Sequence, residues 1–264
     1  MWTYEEEPVN GGAGGEVFRS IFIGSGLEPA SRLAREAIQN SVDAARPGET
    51  PQVTLRMNTY SGEDLARIWK AAGLDQLARR AEALGLHEDN ALKARPDALR
   101  VLQAIDTGTT GLSGDPTSPS SKLRKLLMEI GGSQKISEDV SSGGSYGFGK
   151  AVYSASSRIA VIFAYSRTTN ETGEPLSLFM GCAYHKSHEF EGERTSGRGF
   201  FGVPVEVRHA VRYDAFTGDE ADRRAADLDM ARAEGDLGTT IAIFDCPLNM
   251  EDVKRGVERS CGRN

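Results

Sequence analysis

The second half of the chain restricts the fold most. The segments from Ile159 to Tyr165, Leu176 to Tyr184, Val203 to Val211 and Thr240 to Phe244 read as strands. A single charged helical stretch, from about Asp219 to Ala233, separates them. In the first half, Leu33, Ala34, Ala37, Ile38, Ser41 and Ala45 recur at helical spacing from Leu27 to Ala45, with Ser31 as the expected N-cap. Pro47-Gly48 stops that helix, and Val53, Leu55 and Met57 then alternate with polar residues as a strand with one buried face does. Another short strand, carrying Leu99, Val101 and Ile105, runs into the polar turn Asp106-Thr107-Gly108-Thr109-Thr110-Gly111. These elements predict an α+β, two-layer α/β sandwich: a mixed, mainly antiparallel sheet with helices on one face.

At 264 residues the chain is long enough for a core and a small-molecule pocket. Residues 1–17, rich in glycine and carrying Glu5, Glu6 and Glu7, are expected to be a flexible segment without a secretory signal. No apolar run reaches the roughly 20 residues of a membrane span, so a soluble cytoplasmic protein is expected. The net charge of −7 argues against a surface given over to nucleic-acid phosphates. Cys182, Cys246 and Cys261 are too scattered for a disulfide framework or a zinc site and are expected to be idle thiols. Residues 18–250 form the main domain. Within it, 62–94 looks like a helical insertion and a candidate partner surface, and 112–144 has the Ser, Gly and Pro content of a lid around one helical patch, Leu123 to Ile130.

Three features carry chemistry. Glu36, Asn40 and Asp43 lie at i, i+4 and i+7, one polar stripe on a mostly apolar helix. Two carboxylates and an amide oxygen there suit the activation of water beside a hard cation, although a solvated face has the same pattern. Asp106 opens a glycine-containing turn directly after a strand. The run Gly143-Gly144-Ser145-Tyr146-Gly147-Phe148-Gly149-Lys150, leading into the helical stretch Ala151 to Ser156, can surround an anion with backbone N–H groups. As a Walker A loop it fails: Ala151 stands where a hydroxyl must meet Mg²⁺, and the preceding residues 138–142 are not a buried strand. Lys150, and more weakly Lys135, can reach a phosphate held there. His185, His188 and Glu189 end a strand with side chains on opposite faces, which favours a structural role over metal binding. Arg223, Arg224 and Arg232 alternate with Asp222, Asp227, Asp229 and Glu234 and read as a salt-bridged helix face.

Taken in order with Gly238-Thr239-Thr240, these features resemble the Bergerat-type (GHKL) ATPases, the superfamily of gyrase, heat-shock ninety chaperones, histidine kinases and MutL. The resemblance runs from about Phe18 to Asp245. It implies ATP and Mg²⁺ as ligands. Glu36 is then the group that activates water, Asn40 the Mg²⁺ ligand, and Asp43 the acidic residue that often follows. Asp106 accepts the adenine amino group, and Gly108 and Gly111 admit the base and the lid. Gly144, Ser145, Tyr146, Gly147, Phe148, Gly149 and Lys150 close over the phosphates, and Thr239 supports Asp106. The second glycine of the Asp106 motif comes one residue late, which bears on Gly111 more than on Asp106. Glu36 is similar to the hydrolytic branch, and the long lid with its Gly-Phe-Gly-Lys ending is most similar to prokaryotic Microrchidia-like ATPases, which often accompany restriction or phage-defence systems. An ATP-dependent homodimer or a partner protein is then expected, with ATP or ADP as the small ligand. A nucleotide-gated interaction module without turnover stays open beside the ATPase. Such ATPases usually continue into a second domain with a lysine for the γ-phosphate, so 251–264 reads as a tail or as that domain's start. A fragment, a partner-supplied lysine and slow turnover are the three alternatives.

Overall fold

The computed structural model describes residues 1–8, 15, 28–86, 89–128, 151–208 and 210–261. The elements in chain order are β1 (Trp2–Glu6), α1 (Pro29–Asp43), β2 (Gln52–Ser61), α2 (Gly62–Ala71), α3 (Leu74–Ala78), β3 (Ala98–Thr107), α4 (Lys122–Leu127), α5 (Ala151–Ala155), β4 (Val161–Thr169), β5 (Pro175–Tyr184), β6 (His188–Phe190), β7 (Glu193–Phe201), β8 (Val203–Val207), β9 (Ala210–Asp214), β10 (Phe216–Thr217), α6 (Gly218–Asp227), β11 (Gly238–Phe244) and α7 (Met250–Cys261). The main sheet runs β1-β7-β5-β4-β11-β3-β2, with β10 added beside β5 and β6 beside β7. Every described pairing in it is antiparallel, as expected for the larger part of the sheet.

Side chains alternate across this sheet into two cores. Leu99 and Val101 of β3, Phe163 and Tyr165 of β4, and Ala242 and Phe244 of β11 face one way, with Ile68, Leu74, Ala221 and Ala225 of α2, α3 and α6. Leu102 and Ala104, Ile162 and Ala164, and Ile241 and Ile243 face the other way, with Leu33, Leu127 and Tyr153 of α1, α4 and α5. Helices therefore cover both faces, not the one face expected. The cause is visible in β4 and β11, where every residue of Val161–Tyr165 and of Gly238–Phe244 is buried. A strand of that kind needs a cover on each side.

The 62–94 segment supplies the second cover. Leu65, Ile68, Trp69, Ala72, Leu74, Leu77, Ala81 and Leu84 are all buried, so this stretch is part of the core rather than a detachable partner surface. Trp69 also donates from Nε1 to Asp75 Oδ1 at 2.8 Å and lies under the Arg95 guanidinium. Trp69→Ala is expected to cost about 3–5 kcal/mol of stability, checked by denaturant unfolding.

Three further expectations change. Residues 2–6 are an edge strand, with Trp2 and Tyr4 buried against the sheet, rather than part of a flexible start. The stretch from Val203 to Val211 is not one strand but the β8–β9 hairpin, which turns at Arg208 with φ +49° and forms its own two-stranded sheet. Residues 250–261 form α7, packed on α1 so closely that a Cβ at Gly256 would stand 2.8 Å from Ser31 Cα. His185 is structural: Nε2–H donates to the Ile159 carbonyl at 2.9 Å, and Nδ1 then accepts the Tyr4 hydroxyl at 2.7 Å. Burial pushes the Cys182 thiol up to about 12 and the Cys246 thiol up to about 11, so both stay protonated and inert. Among the described residues no helix is long and apolar enough to cross a membrane.

Candidate functional site

Helix α1 is built to hold one polar stripe beside the sheet. Pro29 opens it and Glu28 is the N-cap residue, without a side-chain bond; Ser31, the expected cap, lies inside the first turn. Ala30, Leu33, Ala34, Ala37 and Ser41 are buried, which leaves Glu36 and Asn40 half-buried at the rim and Asp43 exposed. The C-terminal end is stitched to the turn after β3. Ala45 and Thr109 form an antiparallel bridge, Arg46 N–H donates to the Gly108 carbonyl at 3.1 Å, and Thr110 N–H donates to the Ala44 carbonyl at 2.8 Å. These bonds bring the helix stripe and the Asp106 turn to the same edge of the molecule.

Asp106 is held on one side only. Its Oδ1 accepts the Thr239 N–H at 3.0 Å and the Thr109 hydroxyl at 2.5 Å, and no described residue donates to Oδ2. Burial raises the carboxyl above the usual aspartate range, while the Thr109 and Thr239 bonds and the Arg232 charge oppose that rise. Thr239, expected to support Asp106, bonds to it through the backbone, and Thr109 adds a second bond. The Thr239 Oγ1 lies 3.3 Å from Ser166 Oγ.

Gly111 sits where only glycine fits. With φ +62°, an added Cβ would stand 2.6 Å from both the Arg167 carbonyl and Ser166 Oγ. Ser166 Oγ takes the Leu112 N–H at 2.8 Å and donates to the Gly238 carbonyl at 2.9 Å, so β4 anchors the exit of the turn. Gly108, with φ +72°, provides the other left-handed position, over Thr50 and Pro51.

Tyr153 of α5, which is buried, meets the stripe on α1. Asn40 Nδ2 donates to its hydroxyl at 3.1 Å, and the negative charges of both Glu36 and Asp106 help burial to push its phenol above the usual range. With its amide nitrogen committed to Tyr153, Asn40 has its Oδ1 available to a cation. Glu36 is raised above the ordinary carboxylate range, first by burial and then by Asp43, against Arg35. Asp43 itself accepts the Gln39 amide at 2.8 Å and reaches the site only as a charge. The structure therefore joins Asn40 to the buried phenol, places Glu36 one turn before it on α1, and leaves Asp43 at the margin.

Gly144, Ser145, Tyr146, Gly147, Phe148, Gly149 and Lys150, with Lys135, lie outside the described residues. Of the expected lid, the part around Leu123, Leu126 and Leu127 is a helix buried in the core rather than a mobile segment. Four contributors were not legible as site residues: Tyr153, Thr109, Ser166 and Arg232. The one signal for Tyr153 is its size in a run of small residues, Ala151 to Ser156. Arg232 does not share a helix face with Arg223 and Arg224. Those two pair with Glu220 on α6, which ends at Asp227, whereas the Arg232 side chain is 2% exposed and bonds to the Asp106 carbonyl. Among the described residues no group of three or more His, Cys, Asp or Glu side chains gathers to hold a metal. No known family model matches the chain, and a search of the curated proteins finds no match.

Both raised carboxyls have a thermodynamic consequence. Each binds its proton more tightly in the folded chain than in the unfolded one, so the stability it lends is full below the unfolded pKa and lost as pH rises through the folded pKa. Glu36→Gln and Asp106→Asn, which keep shape without the charge, are therefore expected to raise the melting temperature at pH 7. The gain should shrink toward zero as pH falls below about 4, the unfolded carboxylate range.

Proposed function

We propose that this chain binds ATP with Mg²⁺ at the edge shared by α1 and the turn after β3, hydrolyses it, and uses occupancy of the site as a conformational switch. One observation carries the reading: α1, with Glu36 and Asn40, and the turn that begins at Asp106, remote in sequence, are stitched together by the Ala45–Thr109 bridge and the Thr110–Ala44 bond. Oδ2 of Asp106 is an acceptor matched to an exocyclic amino group of a purine. At the other end, Asn40 Oδ1 is a hard oxygen of the kind that Mg²⁺ takes in ones and twos beside phosphate oxygens, so no carboxylate cage is needed. Glu36, with its proton affinity raised by burial, is closer to the basicity that water activation at neutral pH requires. The antiparallel sheet with helices packed on it is compatible with the Bergerat-type reading, and the motif order supports it.

Mg²⁺, when bound, supplies neutralisation of the phosphate charge. The protein's own contributions are positional. Asp106 sets the base, Asn40 orients the cation side, and Glu36 takes a proton from water aligned with the γ-phosphate. ATP and ADP states of the site would then differ in contact with a second copy or a partner protein.

The test is Mg²⁺ dependence. Phosphate release from ATP should require Mg²⁺, and Asn40→Ala should weaken the Mg²⁺-dependent part by at least the roughly 10- to 100-fold that loss of a metal-supporting group costs. Binding of Mg-ATP without phosphate release in the wild type favours a nucleotide-gated module. Equal Mg²⁺ dependence in Asn40→Ala removes Asn40 from the site.

A further inference from the structure

Resting on the nucleotide-site reading, we infer that Arg232 is a positioning residue for Asp106: from beneath the turn it fixes where the carboxylate sits and keeps it an acceptor, without touching the ligand. The argument begins with the sheet. β11 pairs with β3 as far as Thr240 opposite Ile105, and Asp106, the next residue of β3, is paired with Val53 of β2. Arg232 Nη2 takes the Asp106 carbonyl at 2.5 Å and reaches the Leu237 carbonyl at 3.3 Å. Nη1 donates to Thr240 Oγ1 at 3.2 Å, and Nε donates to the Asp236 carbonyl at 3.2 Å. The planar fork thus ties the end of β3 to the start of β11, a geometry that the single ammonium of lysine cannot copy.

The opposite wall leaves no room for an alternative. A Cβ at Gly238 would lie 2.4 Å from the Asp106 carbonyl oxygen, 2.7 Å from its Oδ1 and 2.5 Å from Arg232 Nη2, so the three groups are in direct apposition. A buried guanidinium is costly as mere filling. Here its ion pair among the described residues, with Asp236 Oδ2 at 3.2 Å, leaves donors to the Asp106, Asp236 and Leu237 carbonyls. Among the described residues, the groups acting on the Asp106 carboxyl are Arg232, which favours the ionised form; Asp236, which opposes it; and the Thr109 hydroxyl and Thr239 amide, which bond to it. Arg232 is the cation among these groups, so its removal should both loosen the carboxylate and let it hold a proton at higher pH.

The experiment uses the full chain with Arg232→Met and Arg232→Lys. The Asp106 carboxyl is followed by carbon NMR against pH without nucleotide, and Mg-AMPPNP binding is followed against pH by calorimetry. Arg232→Met should move the Asp106 titration to higher pH, shift the acid limb of binding in the same direction, and weaken binding at pH 7 about tenfold, the lower end of the cost of lost second-layer support. Arg232→Lys should restore the titration but recover only part of the affinity. A lower melting temperature with the Asp106 titration unmoved overturns the inference, because Arg232 is then structural alone. If Arg232→Met does not fold, Arg232→Lys decides: weakened binding supports the inference and wild-type binding overturns it. If the wild type binds no nucleotide, the site reading fails, and the NMR titration still decides whether Arg232 governs Asp106.

Discussion

Asp106→Asn is expected to abolish Mg-ATP binding while leaving the chain folded. The Thr239 amide and the Thr109 hydroxyl both require an acceptor at Oδ1. The asparagine carbonyl must therefore take that position, which turns its NH₂ to the place of Oδ2. A donor then faces the amino group that Oδ2 is proposed to accept. Losing a hydrogen bond to a charged group and leaving two donors opposed costs about 3 kcal/mol or more, a loss of at least about hundredfold in affinity. Calorimetry of the variant beside a melting curve checks both halves. Retained binding means that Asp106 does not touch the base, and lost binding together with a collapsed melting transition means that it acts through the fold.

Glu36→Ala should separate binding from chemistry. Glu36 is half-buried on α1, one turn before Asn40, and no described contact ties it to the Asp106 turn. Its loss leaves both proposed ligand contacts in place, so Mg-ATP affinity should stay within a few-fold, while phosphate release falls by roughly 10²–10⁴, the usual contribution of a positioned general base. The wild-type rate should also fall on the acid side at a pH above the ordinary glutamate range, because Glu36 must lose its proton to act and burial holds that proton on. An undiminished rate in Glu36→Ala assigns water activation to another group.

Local patterns carried much of this structure in the sequence. The helical period over Leu33 to Ser41 placed α1 within two residues at each end, and the alternation of Val53, Leu55 and Met57 gave β2. Tertiary effects hid the rest. Glu5, Glu6 and Glu7 outweigh the alternation of Trp2 and Tyr4, yet β7 supplies enough partner to make that stretch an edge strand. The unbroken apolar run of β4 states that both faces are covered, but what covers the second face lies in the Ala- and Arg-rich 62–94 stretch, whose charges resemble those of an exposed insertion. The site divides in the same way. Glu36, Asn40 and Asp106 stand in recognisable spacing, whereas Arg232 follows the left-handed Asp229 (φ +54°) beyond the end of α6 and in sequence is one charge among many. Thr109 differs from Thr107 and Thr110 only through the bridge to Ala45, which no local pattern announces.

The measurement closest to the central claim is a calorimetric titration of the chain with AMPPNP, with and without Mg²⁺, repeated on Asp106→Asn. One saturable site is expected for the wild type, tighter with Mg²⁺ and missing in the variant. No binding to the wild type, or binding that Asp106→Asn leaves intact, contradicts a nucleotide site built on α1 and the turn after β3.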